Sequence, residues 1–246
     1  EGGGLVLTSI IIPVLNQREM TCECLTAIAQ HTTAYELVLV DNGSDPAFEG
    51  AAIRNETNLG FPAAVNQGLA AAKGDVVVIL NNDVIVTQGW LDRLKAHLDS
   101  GWDMVGPITN SVSGPQQVLI DSYENQSGLL VAAWQNALKN DRQALPFHRL
   151  VFFCVSMRRA VYERLGPLDE IYTPGNFEDD DYCLRAIEAG FRLAIARDVF
   201  VHHFGGVTHR ALDLDYQALM TKNKAKFDKK WPKEKYTELA EKGQAA

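Results

Sequence analysis

Val76-Val77-Val78-Ile79-Leu80 is an unbroken apolar run, mostly β-branched, closed at once by Asn81-Asn82-Asp83. A strand with no polar alternation is covered on both faces, as in parallel sheets sandwiched between helices. That run restricts the chain to an α/β architecture with a polar tip at a strand's carboxyl end, where open α/β sheets bind ligands. The flanking segments agree. Residues 5–14 and 36–40 read as further strands, the second closed by the turn Asp41-Asn42-Gly43-Ser44-Asp45-Pro46. Residues 17–31 place Met20, Cys24 and Ile28 on one helical face, and 62–73 form a helix with Pro62 near its start and Gly74 past its end. A third helix, 88–100, carries Trp90, Leu91, Leu94 and Leu98 on its apolar side.

Strand and helix in alternation imply a mostly parallel sheet with right-handed crossovers. The turns at Pro13-Val14-Leu15-Asn16, Asp41-Asn42 and Asn81-Asn82-Asp83 then share one edge, a pocket able to accept a base, a ribose and a metal-bound diphosphate. No strand-to-helix turn carries a dinucleotide fingerprint or a P-loop. Beyond Asn110 the pattern weakens. Residues 110–117 are loop-like and 128–150 are ambiguous; 150–157 read as a strand and 158–165 as a short helix. Residues 178–189 form a helix stopped by Gly190, 191–204 two strands, and 213–231 a final helix. With no repeat, linker or low-complexity tract, the 246 residues are expected to form a single domain.

Composition excludes some classes. A 46% hydrophobic, 22% charged chain is an ordinary globular protein, and a net charge of −8 argues against a nucleic-acid partner. The cysteines, Cys22, Cys24, Cys154 and Cys183, form no C-x-x-C pair and read as reduced thiols rather than zinc ligands. No apolar stretch approaches the ~20 residues of a spanning helix, and Gly2-Gly3-Gly4 has no signal-peptide layout. A cytoplasmic location is the expectation. The 222–235 segment holds seven lysines with Phe227 and Trp231 spaced i, i+4. It reads either as a solvated helix packing two aromatics inward or as a peripheral contact with the membrane's anionic inner face.

Three polar clusters could carry chemistry, each with a structural alternative. Asp83 could cap a helix or hold a cation. Glu178-Asp179-Asp180-Asp181 could oppose a helix macrodipole, with Asp181 and Arg185 paired i, i+4, or place a general base in the pocket. His202 and His203 are adjacent on a strand, so at most one faces the pocket. The following residues, Phe204 to Thr208, read as a flexible loop over the site.

Together these residues resemble the family 2 inverting glycosyltransferases of GT-A fold, particularly the rhamnosyltransferase-like bacterial branch. The resemblance rests on Ser9-Ile-Ile-Ile-Pro-Val-Leu-Asn16, Val40-Asp-Asn-Gly-Ser44, Asn58-Leu-Gly-Phe61 with Asn66-Gln-Gly68, Leu80-Asn-Asn-Asp83 and Glu178-Asp-Asp-Asp-Tyr-Cys-Leu-Arg185, in that order. It implies a nucleotide-binding half over about 5–108 and an acceptor-binding half with a C-terminal helix over about 109–246. Pro13, Val14, Asn16, Asp41 and Asn42 would contact base and ribose, with Asn58, Phe61 and Asn66 lining the same pocket and Asn81 and Asn82 near ribose and sugar. Asp83 would hold Mg²⁺ or Mn²⁺ with a late-strand histidine; matching to the strand end favours His202, and a register one residue on selects His203. Asp179 would be the catalytic base, Glu178 helping to orient the acceptor. The chain departs from the pattern at Asn81, where many relatives carry Asp, one fewer anionic oxygen for a hard cation.

The implied activity is transfer of a sugar, with inversion, from a nucleoside-diphosphate sugar to a hydroxyl on a saccharide, lipid-linked or protein-linked acceptor, in bacterial cell-surface polysaccharide or glycoconjugate synthesis. Two alternatives stand beside it. A sugar-1-phosphate nucleotidyltransferase would carry a Gly- and Arg-rich loop after its first strand, which Pro13–Arg18 lacks. A non-catalytic nucleotide-sugar-binding module would not need Glu178-Asp179.

Overall fold

A computed structural model describes residues 7–120, 123–205 and 215–245. The expected features at Gly2–Gly4, at 206–208 of the loop and at 213–214 of the last helix lie outside them. Strands β1 (Thr8–Val14), β2 (Tyr35–Asn42), β3 (Ile53–Asn55) and β4 (Val76–Leu80) are parallel neighbours in the order β3-β2-β1-β4. Helices α1 (Arg18–His31) and α2 (Phe61–Ala71) make the crossovers, as the apolar periodicity required. Every residue of β4 is buried, as its composition demands. All three polar turns therefore emerge along one edge.

The sheet then continues through the second half of the chain. β8 (Cys154–Arg158) pairs antiparallel with β4 and β6 (Met104–Ile108); β9 (Leu193–Phe200) lies parallel to β6, and β7 (Ala144–Pro146) closes the edge antiparallel to β9. Eight strands form one continuous sheet, so both halves share a core. Helix α3 (Trp90–Asp99) packs on β6 and β9, and α4 (Gln126–Lys139) covers β9. The ambiguity at 128–150 resolves as this helix and the three-residue β7, elements too weakly patterned to read from periodicity.

Short elements were not legible. β3, β6 and the two-residue β5 (Val84–Ile85) escaped the periodic reading, as two to five residues give too few repeats to show a face. β5 pairs with β10 (His202–His203) as a separate ribbon, with His203 opposite Val84. After α5 (Arg159–Leu165) and a turn of 3-10 helix comes α6 (Glu178–Glu188). The expected helix is present but is not the last: α7 spans Tyr216–Lys230, Pro232 breaks the run, and α8 (Lys233–Gln244) follows. Phe227, Trp231 and Leu239 of this C-terminal pair are buried.

Candidate active site

The shared edge opens into a cleft of about 660 Å³, bordered on one side by Pro13, Val14, Asn42, Asn58 and Phe61 and on the other by Glu178, Asp179 and Asp180. Asn81, Asn82, Asp83 and His203 form its floor. Its size suits an extended small ligand.

The β5–β10 ribbon builds the floor. It brings His203 Nε2 to 3.3 Å from Asp83 Oδ1, and the Phe204 amide donates to the Asp83 carbonyl. His203 Nδ1 lies 2.7 Å from the Ser111 carbonyl, which only accepts, so Nδ1 carries the hydrogen. Nε2 of the same ring then faces the Asp83 carboxylate. A proton or a metal ion between the two would satisfy both, and an imidazole fixed through Nδ1–H to a carbonyl is the usual support of a metal ligand. Asn110 fixes the histidine further, its side chain bonding both the amide and the carbonyl of His203. Asp83 and His203 thus fit a divalent cation, though among the described residues they gain no third His, Cys, Asp or Glu. His202 takes the opposite face, as strand alternation requires. Its Nδ1 meets the Tyr123 hydroxyl at 2.5 Å and its ring packs on Phe204, so the strand-end match favouring His202 is corrected to His203.

The four consecutive acids divide by partner. Asp181 is buried and pairs with Arg185 at 3.0 Å and Lys230 at 2.8 Å while accepting from Trp231 Nε1. Its role is structural. Asp180 pairs with Arg149 at 3.0 Å; burial first, then Asp179, pushes its carboxyl up to about 7. Burial also raises Asp179, against the pull of Arg149, while Oδ1 accepts from the Asp180 amide and Oδ2 from that of Phe152. Glu178 is 6% exposed, its Oε2 has no partner among the described residues, and burial and then Asp179 raise it well above the carboxylate range. Carboxyl groups held near neutrality in a cleft are suited to taking up a proton.

Not every expected contact faces the cleft. The Asp41 carboxylate accepts from Ser44 and Phe48 amides and pairs with Arg54; burial would raise it, but these bonds hold it below the usual range. It braces the turn. Asn16 ties the β1 turn to the β2 turn through Ser44 and Asp45, and Asn66 bonds the Leu168 backbone and Glu170. None of the three expected contacts borders the cleft, and the side-chain polar atoms of Asp41 and Asn66 are already used in bracing. Asn42 borders the cleft while its carboxamide joins Asn55, Asn58, Leu59 and Gly60. Asn82 donates to Thr21 beneath the floor.

Sequence reading missed Arg149, which is the only Lys or Arg among the described residues bordering the cleft. An arginine just before an apolar strand was the available signal. It also missed Phe177 and Asn176, both in left-handed backbone (φ 76° and 73°) immediately before Glu178. Of the C-terminal lysines, Lys224, Lys230 and Lys235 form ion pairs, and Phe227 and Trp231 face the domain. No helix of the described residues is long and apolar enough to cross a membrane.

Residues 9–166 match the model of the glycosyl transferase family 2, and the chain belongs to that family. It is 28% identical over 218 residues to glycosyltransferase AglE of Haloferax volcanii, covering 81% of this chain and 67% of AglE. It is 35% identical over 160 residues to the undecaprenyl-phosphate 4-deoxy-4-formamido-L-arabinose transferase of Pseudomonas savastanoi, covering 56% of this chain and 48% of that enzyme. Among solved structures, the mannosyltransferase PcManGT of Pyrobaculum calidifontis, in complex with GDP-Man and Mn²⁺, superposes with a TM-score of 0.61 at 18% identity, over 91% of this chain and 64% of that one. At that identity the likeness shows the fold, which is GT-A. The chain spans about half to two thirds of the length of these relatives. It is a glycosyltransferase, and the nucleotidyltransferase and binding-module alternatives fall away.

Proposed function

We propose that this chain transfers a sugar, with inversion, from a nucleoside-diphosphate sugar to an acceptor hydroxyl, with Asp179 as general base. The observation that carries the reading is the convergence on one cleft of an Asp83–His203 pair that fits a cation and two buried carboxyl groups raised toward neutrality. Pro13, Val14, Asn42, Asn58 and Phe61 would enclose the nucleotide, with Asn81 and Asn82 toward ribose and sugar. Asp83 and His203 would hold Mg²⁺ or Mn²⁺, which when bound supplies positive charge to the diphosphate leaving group. With two protein ligands, the diphosphate would complete the coordination.

The Phe152 and Asp180 amides hold the Asp179 carboxylate at the cleft wall. From there it takes the proton of an acceptor hydroxyl as oxygen bonds to the anomeric carbon and the bond to the diphosphate breaks. A single displacement inverts that carbon. Glu178, with Oε2 free to bond, would orient the acceptor. The arabinose transferase among the relatives is named for an undecaprenyl-phosphate partner, which supports a lipid-linked acceptor over a free saccharide or a protein-linked one. That assignment fits cell-surface glycoconjugate synthesis, with Lys222, Lys229 and Lys233 exposed for salt-sensitive contact with an anionic inner membrane face.

Asp179→Asn is expected to bind UDP or GDP as wild type does while its transfer rate falls by about 10²–10⁴-fold. Transfer near the wild-type rate would remove Asp179 as the base.

A further inference from the structure

The segment before the catalytic helix holds one bulky residue, Phe177, in a conformation that its type disfavours. Asn176 and Phe177 have φ of 73° and 76°, and a bulky side chain in left-handed backbone is strained. Such geometry persists only where surrounding structure over-determines it, and it clusters where a chain must aim functional groups. Phe177 is the residue at which α6 begins, so its backbone direction sets where Glu178 and Asp179 point. The preceding loop also meets the opposite wall of the cleft, Phe61 donating to the Pro174 carbonyl at 2.8 Å. It carries Asn176, whose Nδ2 is buried without a partner among the described residues.

What constrains this loop comes from α7, beyond the span that matches the family model. Asn223 is fully buried, and its Nδ2 reaches three carbonyls of the loop: Tyr172 at 2.7 Å, Gly175 at 2.9 Å and Asn176 at 3.3 Å. Lys226 Nζ donates to Asn223 Oδ1 at 2.8 Å and so sets the flip of the carboxamide, its NH₂ toward the loop. Phe227, one turn on, packs its ring on Phe177 with centroids 5.4 Å apart. A buried carboxamide whose two N–H bonds are shared among three carbonyls of this turn is a specific brace, since removing it takes a donor from the Gly175 and Asn176 carbonyls while Tyr172 keeps only the Gly175 amide.

We infer that Asn223 is a positioning residue for transfer: it sets the direction of Glu178 and Asp179 through the Tyr172–Phe177 loop without touching substrate. The inference rests on the transferase reading above. Asn223 itself bonds none of the residues that enclose the nucleotide, so its loss falls on turnover more than on donor affinity. A misplacement of about 1 Å at a reacting group is enough to cost about 10²-fold.

The test compares wild type with Asn223→Ala, Asn223→Asp and Leu98→Ala, the last a buried residue of α3, packed on β6 and β9, that serves as a control for lost stability. Release of nucleoside diphosphate is followed from UDP-glucose, UDP-N-acetylglucosamine, GDP-mannose and dTDP-rhamnose with Mn²⁺. Both Asn223 variants are expected to lose about 10- to 100-fold in kcat, with donor KM within about twofold of wild type. At an equal loss of Tm, Leu98→Ala should keep its kcat. The inference is overturned if Asn223→Asp turns over within about twofold of wild type, if Leu98→Ala loses as much, or if the loss falls on KM. Should the Asn223 variants not fold, Lys226→Met is expected to lower kcat severalfold at constant KM, and an unchanged kcat overturns the inference. If wild type itself releases nothing from the panel, the transferase reading fails. Hydrogen exchange across 173–181 then decides the brace alone: faster exchange in Asn223→Asp upholds it, and wild-type exchange removes it.

Discussion

Glu178, Asp179 and Asp180 are three carboxyl groups placed where one negative charge discourages the next. Burial raises each, and among the described residues only Arg149 lies close enough to relieve Asp179 and Asp180. The linkage has a definite sign. A carboxyl whose folded pKa lies above its unfolded value of about 4 binds its proton more tightly when folded. Its contribution is therefore full below about pH 4 and is lost as pH rises through the folded value, about 7 for Asp180. Replacing Glu178 with Gln removes one such group, so the metal-free variant is expected to gain in Tm over wild type at pH 8 and to gain little at pH 5. Differential scanning fluorimetry at the two pH values checks this; a larger gain at pH 5 would contradict the charge assignment. The same groups predict that kcat/KM climbs with pH along an acidic limb displaced above the ordinary carboxylate range, because a base must lose its proton before it can accept one. A profile already flat at pH 5 would exclude these carboxyls as the titrating groups.

The turns that carry these residues obey local rules with distant consequences. Gly43 sits at φ 92°, and a Cβ there would lie 2.5 Å from the Thr57 carbonyl carbon and 2.6 Å from the Asn58 amide nitrogen, backbone that has no other place to go. Gly43→Ala is expected to destabilise the protein by about 1–3 kcal/mol. It should also weaken UDP or GDP binding, because the displaced segment carries Asn58. Urea denaturation and calorimetric titration test both effects, and wild-type nucleotide affinity would show that this turn does not shape the donor side. The turn was plain in the sequence because Asp, Asn, Gly, Ser and Pro cluster there. The β5–β10 ribbon was not, since two residues per strand carry no period, and without it nothing selects His203 over His202. Asn16, Asp41 and Asn66 show the converse limit. Their types suited ligand contacts, but whether a carboxamide or carboxylate is already satisfied depends on residues up to 104 positions away.

Taken whole, the molecule is one sheet whose catalytic helix is backed by its C-terminal pair. Phe227, Trp231 and Leu239 bury side chains worth about 1.5–3 kcal/mol each, a large part of a typical stability of about 5–15 kcal/mol. A chain ended after Asp215 is therefore expected to lose its cooperative unfolding transition, and a sharp transition by circular dichroism would show the remainder self-sufficient. Ligand linkage supplies a second test. UDP or GDP at about 100 times its Kd should add about 2.7 kcal/mol of stability, and excess EDTA or Asp83→Ala should remove the part of that gain that depends on Mn²⁺. An equal thermal shift with and without the metal would separate Asp83 from cation binding. The amino-acid order by itself determined the parallel half, the shared polar edge and the family, because apolar period and turn chemistry act between near neighbours. Which histidine meets Asp83, which acids are free, and what holds Glu178 and Asp179 in place were decided only in three dimensions. Those choices depend on pairing, burial and hydrogen-bond supply between segments far apart in the chain, where local pattern has no reach.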